Sequence, residues 1–361
     1  MQIGIIGLPS SGKTTFFNAL TGQEATTGDY SLSKEANMAV VKVPDPRLER
    51  LAEIFNPKKI VHAEVQYVDI AGMTGGKSTE KKEAAYVANL RNVDALAQVV
   101  RVFQDDNIPH PDGSIDPIRD IDNVNSELLF YDLLLVDNNI QKLVKKLRVS
   151  KDDDAQKMLN LLNKYKDALE SETFLADLEL SDSEMKTISG FGFLTLKPQL
   201  YILNISENDI GSYTISDDIK SAMKPESKSS AVSLCAEIAM EISRLDEEDK
   251  REFRESMGID KPALETVIRE SYRLMGVISF LTGSDAEVHA WTVKQGAKAP
   301  KAAGAVHTDF EKGFIKAEVI QFEELDKLSS WSEAKSKGKL RLEGKEYVVK
   351  DGDVILFRFN I

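Results

Sequence analysis

Apolar residues in the first hundred positions fall into short runs separated by stretches of helical spacing. Candidate strands are Ile3–Ile6, Ala39–Val43, Val65–Asp69 and Ala95–Val102, with two more at Leu200–Asn204 and Ala231–Cys235. This alternation predicts an α/β fold with a mostly parallel sheet. Between the fourth and fifth strands the rhythm changes. Leu128, Leu129, Leu133, Leu134, Val136, Ile140 and Leu143 recur at helical spacing, as do Met158, Leu159, Leu161, Leu162, Tyr165 and Leu169. The polar break Val149-Ser150-Lys151-Asp152-Asp153-Asp154 supplies a turn and N-cap candidates. The pattern predicts an antiparallel helical hairpin inserted into the α/β domain. Its leucines read as a packed two-helix seam, with a partner-binding face as the alternative. It is too short and irregular for a long dimeric coiled coil.

Helical spacing returns over Glu237–Ser256 and Ala263–Met275, and the acidic run Asp246-Glu247-Glu248-Asp249 reads as a solvated helix start. From Val277 onward the strands are short: Val277–Leu281, Val288–Val293, Phe314–Val319, Tyr347–Val349 and Val354–Phe359. Turns at Glu343-Gly344-Lys345 and Lys350-Asp351-Gly352-Asp353 separate the later ones, so this part reads as a small α+β module. At roughly 150 residues per domain, a chain of 361 residues holds two to three.

Charge and cysteine content narrow the classes. Asp and Glu number 59 against 46 Lys and Arg, a net charge of −13, which argues against a nucleic-acid-coating surface and gives no expectation of DNA binding. A local basic face escapes that objection. The single cysteine, Cys235, excludes an intramolecular disulfide and fits a reducing cytoplasm. No run approaches the ~18 apolar residues of a membrane span, and the N-terminus lacks a basic leader region, so no membrane association is expected.

The chemistry concentrates after the first strand. Gly7-Leu8-Pro9-Ser10-Ser11-Gly12-Lys13-Thr14 matches G-x-x-x-x-G-K-[ST], with a strand running in and a helix running out through Thr15 and Phe16. Glycines let backbone N–H groups face phosphates, and the helix N-terminus adds partial positive charge. Lys13 is expected on the β- and γ-phosphates and the Thr14 hydroxyl on Mg2+. Asp69-Ile70-Ala71-Gly72 ends the third strand as D-x-x-G, where Asp69 holds magnesium through water and the Gly72 N–H senses a γ-phosphate. Met73 follows, where Ras-type GTPases carry the glutamine that orients the attacking water; a thioether cannot do this. After the fifth strand, Asn204-Ile205-Ser206-Glu207 stands in place of N-K-x-D. The lysine is missing and the acid is longer, so nothing there obliges guanine, and adenine is the expected base. Asn204 and the Ile205 backbone are its expected contacts, with Glu207 beside them.

These motifs resemble the YchF/Obg-like ATPase family of P-loop proteins. The resemblance also rests on Val43-Pro44-Asp45-Pro46-Arg47-Leu48, on Ala290-Trp291-Thr292-Val293, and on the run from Ala303 to Ile315 containing His307-Thr308-Asp309-Phe310. Gly338–Lys345 and Asp351–Val354 extend it into segments similar to a TGS module. It implies a discontinuous nucleotide-binding domain over 1–122 and 197–276, a helical insertion over 123–196 and a TGS domain over 277–361. It further implies ATP preference over GTP and association with ribosomes. On the same resemblance, His110 matches the histidine taken to replace the missing glutamine, and Ser33 falls where a magnesium-binding threonine would be. The phosphate loop reads Ser10-Ser11-Gly12-Lys13-Thr14-Thr15 where the family has N-V-G-K-S-T. Both switches depart further: the first is one residue short, and the second lacks the family's glycine-rich pattern. Turnover and regulation therefore transfer less directly than binding.

Basic residues gather on the hairpin tip (Lys142, Lys145, Lys146, Arg148, Lys151) and on the last module (Lys294, Lys298, Lys301, Lys312, Lys316) near Trp291, Phe310 and Phe314. They read either as solvated faces or as contacts to ribosomal RNA. The best expectation is a slow ATP-preferring, magnesium-dependent nucleotide switch. A true GTPase and a nucleotide-gated RNA- or protein-binding module with negligible turnover are the alternatives.

Overall fold

The computed structural model describes residues 1–22, 37–70, 80–259 and 262–360. Gly72, Met73 and Ser33 lie outside the described residues. The strands are β1 Gln2–Ile6, β2 Asn37–Lys42, β3 Lys59–Val61, β4 Glu64–Asp69, β5 Ala95–Arg101, β6 Gln199–Asn204 and β7 Ser229–Leu234. They continue with β8 Val277–Gly283, β9 Glu287–Lys294, β10 Phe314–Gln321, β11 Arg341–Glu343 and β12 Asp353–Phe359.

Two compact units form. The first comprises Met1–Val40 and Gln66–Val267. Its sheet has the order β2-β4-β1-β5-β6-β7, and β1 pairs in parallel with both β4 and β5. The parallel ladder continues from β5 to β6 and from β6 to β7, as the βαβ rhythm predicts. Strands β5 and β6 are buried along their whole length, which explains their near-continuous apolar sequence. The helix Pro117–Val149 starts on the Asp116 cap with proline in its first turn, and its 33 residues span about 50 Å. A three-residue turn leads to Asp153–Glu170, capped by Asp152. The seam reading holds: Val136, Leu162, Tyr165 and Leu169 are buried between the two helices and Phe193. Leu134 departs from it, standing on the outer face, 43% exposed.

The second unit comprises Val41–Val65 and Ile268–Ile361, with sheet order β11-β10-β12-β8-β9-β3. Here the structure differs from the expected domain boundaries. Residues 41–65, expected with the nucleotide-binding domain, join this unit because β3 pairs in parallel with β9. A three-residue edge strand has too few positions to show alternation. The hairpin, expected as a separate insertion, counts with the first unit because Val124, Leu128 and Tyr131 pack with Ile6, Leu96 and Phe174. Two element expectations are also corrected. Tyr347–Val349 makes an isolated bridge from Val348 to Lys298 in place of a strand. Glu237–Ser256 divides into Ala236–Ser243 and Glu247–Ser256, because Asp246 accepts from the Glu248 and Asp249 N–H groups and restarts the helix. No helix among the described residues is long and apolar enough to cross a membrane.

Candidate functional site

The loop from Gly7 to Gly12 joins β1 to the helix Lys13–Thr21. Gly7 adopts φ 142° and Gly12 φ 96°, a region side-chain-bearing residues rarely enter. Space forbids substitution as well: a Cβ at Gly7 would stand 2.4 Å from the Val99 carbonyl oxygen, and one at Gly12 2.2 Å from Asn204 Nδ2. Ser10 carries φ 61° without being glycine, a local strain located within the loop itself. The Lys13 ammonium folds back over the loop, donating to the Gly7 carbonyl at 2.9 Å and the Leu8 carbonyl at 2.7 Å. Burial pushes its pKa down to about 8, against the pull of Asp69. Burial raises the Asp69 carboxyl in turn, opposed by Lys13. Asp69 ends β4, where its neighbour in register across the sheet is Ile5 of β1.

A cavity of about 630 Å³ opens above the loop. Ser10, Gly12, Lys13, Thr14 and Thr15 form one side, and Asn204, Ile205 and Glu207 contribute to the other. The site therefore lies beyond the carboxyl ends of parallel strands, as open α/β sheets place their ligands. Gly7 and Ser11 are not among the lining residues. Gly7 shapes the turn, and Ser11 is buried with its hydroxyl unpartnered. Sequence reasoning missed Phe103, Gln104, Asp105 and Ile108 after β5, and Glu237 and Met240 after β7, all of which line the cavity. The available signal was positional: each segment follows a parallel strand.

Two expected site residues are held by partners within the protein. Asn204, expected on the base, is buried and spends its carboxamide on the protein, donating to the Ser11 carbonyl at 3.0 Å and accepting from the Ala236 N–H at 3.0 Å. It ties the phosphate loop to the segment after β7. The Ile205 N–H is also spent, on the Leu234 carbonyl. His110, expected to orient the attacking water, does not line the cavity. Its Nδ1 accepts from the Asp112 N–H at 3.1 Å, which makes Nε2 the donor to Asp120 at 2.8 Å. Arg119 donates to the other oxygen of Asp120. Both ring nitrogens are thus engaged, and the side chain is 4% exposed. Hydrogen bonds to its own loop and to the first turn of the helix Pro117–Val149 decide this placement, which no motif reports.

The expected magnesium ligands are oxygen donors, and Thr14 lines the cavity. Thr14 and Asp69 offer hard oxygen donors, the kind Mg2+ prefers. The depressed Lys13 has a consequence in solution. A polyanion binds the ammonium form, and above pH 8 the free protein holds less of it. Triphosphate binding is therefore expected to take up a proton there, and affinity to fall by up to about tenfold per pH unit between 8 and 10. Calorimetry in buffers of different ionisation enthalpy measures the uptake directly; pH-independent affinity across that range would contradict it.

A glycine-dependent turn wrapped around a half-buried lysine is how polyphosphate is cradled, and it places this fold among the P-loop nucleoside-triphosphate-binding proteins. The family described as 50S ribosome-binding GTPase matches residues 2–164. The family of YchF-type GTPase C-terminal regions, described as a protein of unknown function, matches residues 277–360. The chain is 43% identical to the ribosome-binding ATPase YchF of Haemophilus ducreyi, covering 100% of this chain and 99% of that protein. It is 41% identical to the Bacillus subtilis protein of the same name over the whole of both. The solved structure of the Schizosaccharomyces pombe YchF GTPase superposes with a TM-score of 0.86 at 31% identity, over 99% of this chain and 97% of that one. The chain belongs to the YchF family.

Proposed function

We propose that this protein is an ATP-hydrolysing switch that associates with ribosomes, and that the Lys13 loop beneath the cavity is where the triphosphate sits. The observation that carries the reading is the half-buried, loop-bound ammonium of Lys13 beside Asp69. When a triphosphate enters, Lys13 exchanges two carbonyl partners for phosphate oxygens, which hold its ammonium form more firmly. Thr14 and Asp69 would hold Mg2+, which supplies charge neutralisation at the β- and γ-oxygens. The loop backbone orients the phosphates for in-line attack by water. Hydrolysis through His110 requires the ring to leave Asp120 and Asp112 first, which fits a slow basal rate. A cytoplasmic location follows from this reading, as does a division into a nucleotide-binding domain that carries the helical insertion and a TGS domain that takes in residues 41–65.

Base preference is the sharpest test, because relatives are called ATPase in some names and GTPase in others. Glu207 lines the cavity without the lysine of N-K-x-D beside it, so ATP is expected to bind at least as tightly as GTP. Parallel calorimetry checks this, and a tenfold preference for GTP, about 1.4 kcal/mol, would overturn it. Ile205→Lys with Glu207→Asp is expected to shift preference towards guanine.

The ribosome contact is expected to be electrostatic. On the arm, Lys142, Lys145 and Arg148 are exposed, while Lys146 pairs with Asp152. On the C-terminal unit, Lys298 pairs with Glu346 and Lys301 with Glu311 at the surface, pairs of little energetic weight. The aromatic residues expected among these lysines serve the fold instead. Trp291 stacks on His289, Phe310 stacks on Phe359, and Phe314 is buried. Co-sedimentation with ribosomes is expected to fall steeply with salt, and further with Lys145→Glu and Lys298→Glu. No co-sedimentation at low salt with either ATP or ADP would remove the ribosome reading.

A further inference from the structure

Arg101 is 2% exposed, and among the described residues its guanidinium meets backbone carbonyls and no carboxylate. A buried guanidinium without a counter-charge is costly, so its retention calls for a return. It is the last residue of β5 and stands in register with Asn204, the last residue of β6. From there it turns onto the segment that follows. Nε donates to the Phe103 carbonyl at 3.3 Å, and Nη2 donates to the Asp105 carbonyl at 3.2 Å. The guanidinium carbon sits 4.5 Å from the centre of the Phe103 ring, covering it, while Nη1 is buried without a partner. Phe103, Gln104, Asp105 and Ile108 are the cavity wall that this arrangement holds.

We propose that Arg101 is a positioning residue for the nucleobase. Its planar fork fixes two carbonyls of the wall and backs the Phe103 ring, which presents its remaining surface to the cavity as a stacking platform. A cation behind the ring strengthens an aromatic stack in front of it. Lysine could not replace it, since one ammonium cannot bridge both carbonyls and lie flat on the ring. The inference rests on the reading that the cavity takes a nucleotide, and it assigns the base to the Phe103 wall with the phosphates on the Lys13 loop.

The test separates the base from the phosphates. Calorimetry on the full chain compares ATP with inorganic tripolyphosphate, both with magnesium, for the wild type, Arg101→Met and Arg101→Lys. Arg101→Met keeps the length of the side chain and removes its donors and charge. It is expected to weaken ATP by about tenfold or more while leaving tripolyphosphate within about twofold, since a lost stack is felt only by a ligand with a base. Should the methionine variant fail to fold, Arg101→Lys carries the same comparison, with a selective loss for ATP. Equal weakening of both ligands, or no change in either, would overturn the positioning role. Wild-type protein that binds neither ligand would instead overturn the nucleotide reading itself.

Discussion

Lys13→Ala is expected to lose tight triphosphate binding, by roughly 30- to 5,000-fold. Truncating one partner of a close, desolvated charge contact costs about 2–5 kcal/mol, and Lys13 is the half-buried cation of the loop. Two opposing effects leave the unliganded fold nearly unaffected. Alanine gives up the bonds to the Gly7 and Leu8 carbonyls, yet it also removes the desolvation penalty that depresses the lysine pKa. Calorimetry with ATP, alongside a melting curve of the free protein, checks both halves. ATP affinity within a few-fold of wild type would mean that the loop does not carry the phosphates.

The second large effect is expected at Asn204. Its carboxamide satisfies the buried Ser11 carbonyl and the Ala236 N–H at once. Asn204→Ala leaves both without that partner, at roughly 1–3 kcal/mol for each group that stays unsatisfied. A lower melting temperature is therefore expected. So is weaker binding of ATP, GTP and tripolyphosphate alike, because the loop itself is released from its tether. This distinguishes tethering from base contact: if only ATP weakened and tripolyphosphate did not, Asn204 would belong to the base after all. The contrast with Arg101 is direct, since that residue is expected to affect the base and spare the phosphates.

Much of the first unit was legible because its signals are local. All six predicted strands in this sheet lie within one or two residues of those observed at each end, and the hairpin break at Ser150–Asp152 follows from cap residues. The phosphate loop needed only Gly7, Gly12, Lys13 and Thr14 at their spacing, because the backbone conformation they permit is itself the site. What failed was long-range. Neither the strand Lys59–Val61 nor its pairing with β9, more than two hundred positions away, leaves a periodic trace.

Sequence alone determined the chemistry of this protein: a strand, a glycine-bounded turn, a lysine and a hydroxyl in an order that only a phosphate-binding loop requires. It also determined that guanine recognition is not enforced, since the missing lysine after Asn204 is visible in one dimension. Tertiary structure decided which of these side chains are free to act. It spent the Asn204 carboxamide on the loop tether, engaged both nitrogens of His110 with Asp112 and Asp120, and brought the Phe103 wall to the cavity over a buried Arg101. The physical reason is that a motif records what a residue can donate or accept, whereas burial and competing hydrogen bonds decide where that capacity is used.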